Sequence, residues 1–597
     1  MAKESKLSWP RFFWLLPVYL TVGLMPIMVR LYVYESKLTR FSWYYPNVSD
    51  VCGDVFLAYR QKLFTGIFIY MLVALIIKFV KDKKTFRCSK DFIPLFIFAT
   101  FSLLSAIFSK YPEYAFGGGF EQFESVFVLL GYALIVYYIY LVVDSEYEIK
   151  SILYVLTAST IVLGLIGTMQ TLGYNILGEE WFINLITPAD VGGKLSATTA
   201  ANVACMTLYN QNYVGVYVTM LFPLYSVLLL FSKNRKEKIA YGITLLLLMV
   251  SLYGSRSKAA FLVLLVQLLI LLIFLRKPIL KKWYYVAPMV VLLMAVFLII
   301  NHMQDNEYVN RIVNALKIEK TLYDLQSIET KDDGVYITYK ENTLVLKLEN
   351  KDNLYTVSFF DDSGKEVSAE YLSTEGRYVI KDTRFDAFYV EFYQYANCIC
   401  FDVYYDGICF RFTNEYDGTG SYYYMHNRGG FDKLIMAEQV VFNDYEKMLS
   451  GRGYIWSVTL PLLKEHIILG SGADTFITEF PQQDYLRLYR NEYAVHLVSK
   501  PHSLYLQVAI QDGFIAMLGM VVFFVIYLAW SVRLYIKSGF ENYFEQTGIA
   551  IMLAVLGFVV MGLSNDSCIA VSPIFWAILG MGVWINDKVK KKENRLK

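Results

Sequence analysis

Residues 239–275 read IAYGITLLLLMVSLYGSRSKAAFLVLLVQLLILLIFL. Two apolar runs, 239–254 and 258–275, meet at a turn almost too short to be a loop. An α-helix rises about 1.5 Å per residue, so about 20 apolar residues cross a hydrocarbon layer about 30 Å thick. The stretch therefore predicts two membrane helices joined at the interface. Working outward, similar runs fall near 12–33, 64–80, 92–108, 123–143, 152–172, 213–231, 284–301, 504–530, 547–563 and 569–586. The 597-residue chain is 56% hydrophobic and 17% aromatic, with a mean hydropathy of +0.40, above the range of soluble domains. The fold class read from this is an α-helical polytopic membrane protein of about 12 transmembrane helices. Polar residues and Trp9-Pro10-Arg11 precede the first run, and no small-residue cleavage site follows it. It reads as a first span and not a removed signal peptide.

Orientation follows from lysine and arginine in the connections. Lys81, Lys83, Lys84, Arg87 and Lys90 follow the second span; Lys233, Arg235, Lys236 and Lys238 follow the sixth. Arg276, Lys277, Lys281 and Lys282 follow the eighth, and the tail carries Lys588, Lys590, Lys591, Lys592, Arg595 and Lys597. With twelve spans, all lie on one side if the N-terminus is cytoplasmic. The loop SKYPEYAFGGGFEQ (109–122), the GSRSK turn and the loop 302–503 then lie outside. A net charge of +2 with no basic stripe gives no footprint for nucleic acid.

The predicted division is a membrane domain 1–301, an extracytoplasmic loop 302–503, and a membrane domain 504–597. Within the loop, 321–425 alternates in VYITY, TLVLKL, YTVSFF, RYVI, FYVEFY and ICFDVYY, broken by DDG, ENKDN, DDSG and DG. These are strand and turn signals, and they predict a β-rich insert, a small sandwich. Residues 432–500 differ: FDKLIMAEQVVFNDYEKML (431–449) and YIWSVTLPLLKEHIIL (454–469) space their apolar positions as helices do. An Asp406-Gly407 turn would set Cys409 opposite Tyr404, and no disulfide is predicted.

All five histidines, His302, His426, His466, His496 and His502, fall between the ninth and tenth spans. Polar side chains are costly in hydrocarbon, which accounts for the clustering as such. His502 differs, because it follows Pro501 where the loop re-enters the membrane and a lipid-borne substrate would present its headgroup. A neutral imidazole there can take a proton from a hydroxyl. His466 reads as packed or capping within a helix, His302 as the end of a span, and His426 as the border of the β insert. His496 is near enough in sequence to assist. Arg256, in GSRSK, sits at the outer interface, where it either snorkels to water or faces an anion with its planar donors. Arg452, in SGRGYIW, falls at a helix start, with Ser450 as the N-cap and flanking glycines that permit close approach. No cluster has zinc-ligand spacing, and no metal or other cofactor is predicted.

The run SGRGYIWSVTLPLLKEHIILGSGADTF (450–476) followed by KPHSLYLQVAIQDG (500–513) resembles the core of the O-antigen ligase and O-antigen polymerase family. That family's pattern is Arg-x3-Trp, a Leu-Gly-x-Gly turn, then His-Ser or His-Asn with Gly after nine further residues. Arg452 and Trp456, the turn at 469–472, and His502-Ser503 with Gly513 match it, while Ala516 departs from it. Arg256 matches a Ser-Arg element, Asn210 and Asn212 in LYNQNYVGVY an Asn-x-Asn element opening a span, and YAFGGGFEQFESVFVLLGYA (114–133) a Gly-rich approach to the fourth span. The resemblance covers about 95–320 and 435–585 and leaves the insert without a counterpart.

The resemblance implies a GT-C-like glycosyltransferase of the cytoplasmic membrane. It would move a glycan from a polyprenyl diphosphate carrier to a glycan, lipid or cell-wall acceptor on the outer face. His502, Arg256 and Arg452 would be catalytic, with Asn210, Asn212, Ser503, Trp456, Glu121 and His496 binding substrate. Polymerase and ligase both fit. A transporter or flippase for a lipid-linked glycan is the alternative, although no internal repeat and few charges within spans favour it. A membrane-anchored glycan-binding surface protein explains the insert but not Arg256, Arg452 and His502 on one face. Two arginines can meet the charge of a diphosphate without a metal. Glycan transfer in reconstituted membranes is therefore expected to continue in EDTA, and loss of turnover in chelator contradicts this.

Overall fold

A computed structural model of the chain describes residues 9–45, 49–81, 89–189, 191, 202–303, 320–352, 354–395 and 397–596. Lys83, Lys84, Arg87 and Lys597, four of the charges that set the expected orientation, lie outside the described residues. The main helices before residue 304 are α1 (Trp9–Tyr19), α2 (Ala58–Lys81), α3 (Ile93–Ile107), α4 (Val126–Val142), α5 (Glu146–Thr171), α6 (Gln211–Phe231), α7 (Arg235–Ser255), α8 (Lys258–Lys281) and α9 (Trp283–Met303). Within the loop lies α10 (Met448–Leu462), and after it come α11 (Leu504–Gln511), α12 (Phe514–Tyr535), α13 (Tyr543–Met561) and α14 (Ser572–Leu596).

Among the described residues, eight helices are long and apolar enough to cross a membrane: α2, α3 with its leading turn, α5, α6, α7, α8, α12 and α13. Shorter apolar stretches occupy Pro10–Leu24, Val126–Val142 and Val286–Ile299. Helix starts are closed by local side chains. Ser145 accepts from Glu148 N, Asn234 from Lys236 N, and Asn542 from Phe544 N and Glu545 N, which satisfies amides the helix itself leaves unpaired. Tyr154 bonds Glu237 at 2.6 Å, Lys282 bonds Leu230 O, and Lys150 lies 4.6 Å over the Tyr543 ring, gathering these charged helix ends at one end of the bundle. Arg256 closes the opposite end of α7.

Two expected spans differ. The first run, read as 12–33, ends at Leu24 after a π-turn, and the chain leaves as a strand at Tyr32. Pro26 has no amide to continue a helix, and the fully buried Arg60 takes the carbonyls of Met25 and Pro26 at 2.7 and 2.9 Å. The run 504–530 is two helices, α11 and α12, broken at Gly513. Its φ of 96° is outside the helical region, and the Phe514 amide turns to His466 O at 2.9 Å.

The insert is two antiparallel sheets. One pairs, in spatial order, Leu325–Thr330, Val335–Tyr339, Asn342–Lys351 and Leu354–Asp361; the other pairs, in spatial order, Phe431–Asp432, Tyr423–Met425, Ile408–Thr413, Cys398–Tyr405, Phe388–Tyr395, Arg377–Ile380 and Ala369–Leu372. Their inner faces share a core that includes Ile337, Leu346, Phe359, Val390, Phe401 and Phe412. Asp406 and Gly407 both take positive φ, and Cys409 lies opposite Tyr404, the register the turn implies. The same core takes in Leu38, Trp43 and Tyr44 from the connection before α2 and Tyr485 and Leu486 from the later loop.

The helix expected over 431–449 does not form. Phe431 and Asp432 pair as an edge strand, and the chain then runs extended. Leu434 exchanges hydrogen bonds with Thr330, and Ile435 N bonds Gln483 O at 3.2 Å. Bonding to the sandwich edge replaces the intrahelical ladder. The second expected helix, 454–469, ends at Leu462 beside Pro461 and leaves His466 in a turn, where its ring meets Glu479 at 3.3 Å.

The Leu-Gly-x-Gly turn has a steric cause. A side chain on Gly470 would land on the backbone of Gln511 and Asp512, where α11 ends. Gly470→Ala is expected to lower stability by about 1–3 kcal/mol, read as a lower melting temperature of the detergent-solubilised protein. An unchanged melting temperature contradicts this packing.

Candidate functional site

The site forms where the loop re-enters the bundle. Residues 498–503 run without regular secondary structure across the helix ends, and three separate segments hold them. Gln482 bonds both the carbonyl and the amide of Val498, at 2.8 and 3.2 Å. Ser499 gives its hydroxyl to Glu121 at 2.6 Å and its carbonyl to Gln122 at 2.7 Å. Trp456 donates from its indole to Pro501 O at 3.0 Å. So held, His502 takes a φ of 53°, which is uncommon for a residue with a side chain. Ser503 follows in extended geometry as the residue before α11.

Asp566, in the connection between α13 and α14, meets this strap with both oxygens. Oδ2 lies 3.0 Å from His502 Nδ1, and Oδ1 accepts from the Ser503 amide at 3.1 Å. The carboxylate fixes the ring orientation and assigns the proton to Nδ1, which leaves Nε2 as an acceptor. Asp566 is buried, while the His502 side chain stays 36% exposed, so the ring is held on one side and open on the other.

Arg452 is the next cation. Burial pulls its guanidinium below the ordinary arginine range, and the Asp566 carboxylate, with Tyr493 and Tyr213, acts the other way. Its Nη1 reaches Leu449 O at only 3.5 Å, and its Nε is buried without a partner. Ser450 is not the expected N-cap: Leu449, Ser450 and Gly451 all take positive φ, and the regular helix starts at Arg452. Three left-handed residues place the side chain over the turn, and no capping bond forms. Gly451 has a φ of 85°, which a residue with a side chain rarely adopts, so glycine suits this turn.

Arg256 ends α7 in left-handed geometry with its Nε also buried and unpartnered. It has no direct contact with His502 or Asp566. The link is through its neighbour, since Ser257 abuts Gly215 on the first turns of α6. Asn210 is the N-cap of α6, and its side chain accepts from Asn212 N at 2.9 Å. That bond commits the Asn210 oxygen to the helix end. Glu121 likewise holds the strap through Ser499, and Trp456 holds it through Pro501. His496 is exposed, and its backbone carbonyl accepts from Arg428 at 3.1 Å. Among the described residues, no three His, Cys, Asp or Glu side chains converge as a metal site.

Sequence reasoning missed Asp566, Lys500 and Tyr213. A signal existed for the first, because NDS (565–567) interrupts two apolar runs on the outer side by the span count. It also missed Asp474, whose Oδ2 accepts from Gly119 N at 2.9 Å and Glu124 N at 2.8 Å and so ties the Gly-rich approach to the Leu-Gly-x-Gly turn.

Residues 418–521 match the family model described as O-antigen ligase. The match contains Arg452, Trp456, His496, His502 and Ser503, and it bears out the family resemblance; Arg256, Asn210, Asn212, Glu121 and Asp566 lie outside it. No curated protein and no solved structure matches the chain.

Burial pushes the Asp474 carboxyl up from its ordinary 3.8 to about 7. Between these values the folded protein keeps a proton the unfolded chain has lost, so stability falls as pH rises through that window. Asp474→Asn keeps an acceptor for Gly119 and Glu124 and removes this contribution. Its melting temperature is expected to fall less between pH 5 and pH 8 than the wild type's. An equal fall contradicts the assignment.

Proposed function

We propose that this chain, which carries an O-antigen ligase domain, is a multi-pass glycosyltransferase of the cytoplasmic membrane. It takes a glycan from a polyprenyl diphosphate carrier to an acceptor hydroxyl on the outer face, as a surface-polysaccharide polymerase or ligase. The topology is twelve spans, GT-C-like, with both termini cytoplasmic and 302–503 outside. The shorter stretches Pro10–Leu24, Val126–Val142 and Val286–Ile299, with α14, supply the spans beyond the eight long ones.

One observation carries the reading. An imidazole oriented by Asp566 and partly exposed shares that carboxylate's field with Arg452, an arginine with a buried, unused donor. His502 Nε2 takes the proton from the acceptor hydroxyl as its oxygen attacks the anomeric carbon, and Asp566 stabilises the imidazolium that results. The bond from that carbon to the diphosphate oxygen breaks, and the carrier leaves with the electron pair. Arg452 and Arg256 meet the growing negative charge. General-base assistance is worth about 10²–10⁴-fold in rate, and a preorganised donor to the developing charge about 10²–10³-fold. Trp456, Glu121 and Ser503 act by positioning His502, and Asn212 and His496 remain for the acceptor.

His502→Ala, Arg452→Ala and Arg256→Ala are each expected to reduce transfer in reconstituted membranes at least about 100-fold with expression kept. Undiminished transfer by the His502 variant removes the general-base role. In a deletion strain, mass analysis is expected to find lipid-linked glycan accumulating. Single repeat units mark a polymerase, full-length lipid-linked polymer marks a ligase, and no accumulation contradicts the proposal.

A further inference from the structure

Lys500 is 6% exposed, and among the described residues its ammonium has one hydrogen bond, 3.4 Å to the Tyr213 hydroxyl. Its other neighbours are the faces of Tyr209 and Tyr213, at 5.0 and 5.6 Å to the ring centroids. A buried charge is ordinarily paired, and an ammonium has three donors to place. No carboxylate lies within ion-pair reach among the described residues. Three sense its charge from beyond that reach: Asp54 caps α2 through the amides of Leu57 and Ala58, Asp474 holds Gly119 and Glu124, and Glu124 accepts from Tyr132 and Ser567 through one oxygen while its other oxygen is buried without a hydrogen bond.

The place of this orphaned cation is informative. Lys500 lies on the strap two residues before His502, and Tyr213, its hydrogen-bond partner, is among the groups acting on Arg452. Lys500 is thus tied to Tyr213 and, through the strap, to the His502–Asp566 pair, whose carboxylate also acts on Arg452. We infer that Lys500 is a third cation of the anion site and contacts a phosphate oxygen of the carrier diphosphate, an inference that rests on the transfer reaction proposed above. Arginine presents a fixed planar fork, whereas an ammonium is a compact point charge. It follows a phosphate oxygen as the diphosphate departs, and the tyrosine faces keep it in place when the site is empty.

The test uses the full-length protein in detergent with inorganic pyrophosphate as probe. Titration calorimetry is expected to give Lys500→Met at least tenfold weaker binding than wild type, with Lys500→Arg within about threefold. A Lys500→Met protein that melts and elutes as wild type and binds pyrophosphate equally well overturns the inference. Reductive methylation of the wild-type protein needs no variant: pyrophosphate is expected to protect Lys500 but not the exposed Lys464, and equal labelling of Lys500 with and without it also overturns the inference. Binding lost in Arg452→Ala but kept in Lys500→Met removes the lysine alone. A wild-type protein that does not bind pyrophosphate at all removes the phosphate site and the transfer reading with it.

Discussion

The Asp566 carboxylate is where the loop and the membrane bundle are joined. One oxygen holds the His502 ring and the other the Ser503 amide, so a single side chain sets both the orientation of the ring and the start of α11. The connection that bears it is held in turn. Ser567 bonds Glu124 at 2.8 Å, its amide bonds Gln507 at 2.7 Å, and Leu504 N reaches the carbonyls of Gly562 and Asn565. His502 in left-handed geometry is strained by itself, and such strain persists only where the surroundings over-determine it. Here Trp456, Glu121, Gln122 and Gln482 do so from the loop side and Asp566 from the bundle side.

The β sandwich is part of this support. Its core continues into Trp43 and Tyr44 of the connection before α2 and into Tyr485 of the loop that leads to the strap. At that junction His426 is buried, stacked on Tyr485 at 5.1 Å, with its ring 3.2 Å from Ser42 O. Burial first, and Arg428 second, lower its pKa to about 4, so it packs as a neutral group. Arg428 joins Trp43 O at 2.7 Å to His496 O. The insert thus braces the segment that leads to His502 from a distance.

The sequence made the membrane class legible because apolar runs about 20 residues long have few other solutions in water or lipid. It made the sandwich legible through alternation and turns, down to Cys409 opposite Tyr404. Periodicity misled at 431–449, because apolar residues at helical spacing also suit an extended chain that pairs with a sheet edge, and Thr330 and Gln483 lie far away in sequence. Gly513, noted for its spacing, breaks a run that composition alone presents as one span. In the site, His502 and Arg452 were visible from position and neighbours. Asp566 and Lys500 were not, since one is paired across 64 positions and the other is notable only for the partner it lacks. Ser450 has an N-cap's composition, but only backbone geometry shows that it does not cap.

Asp566 orients the neutral His502 ring and stabilises the imidazolium formed as the ring removes a proton. The most direct measurement is single-turnover glycan transfer by Asp566→Asn in proteoliposomes loaded with polyprenyl diphosphate-linked glycan, alongside donor binding by the same variant. An amide of nearly the same shape keeps the packing but withdraws the charge that supports an imidazolium. The account predicts donor binding close to wild type and transfer slower by about 10²–10⁴-fold. Transfer at the wild-type rate by the Asp566→Asn protein contradicts it.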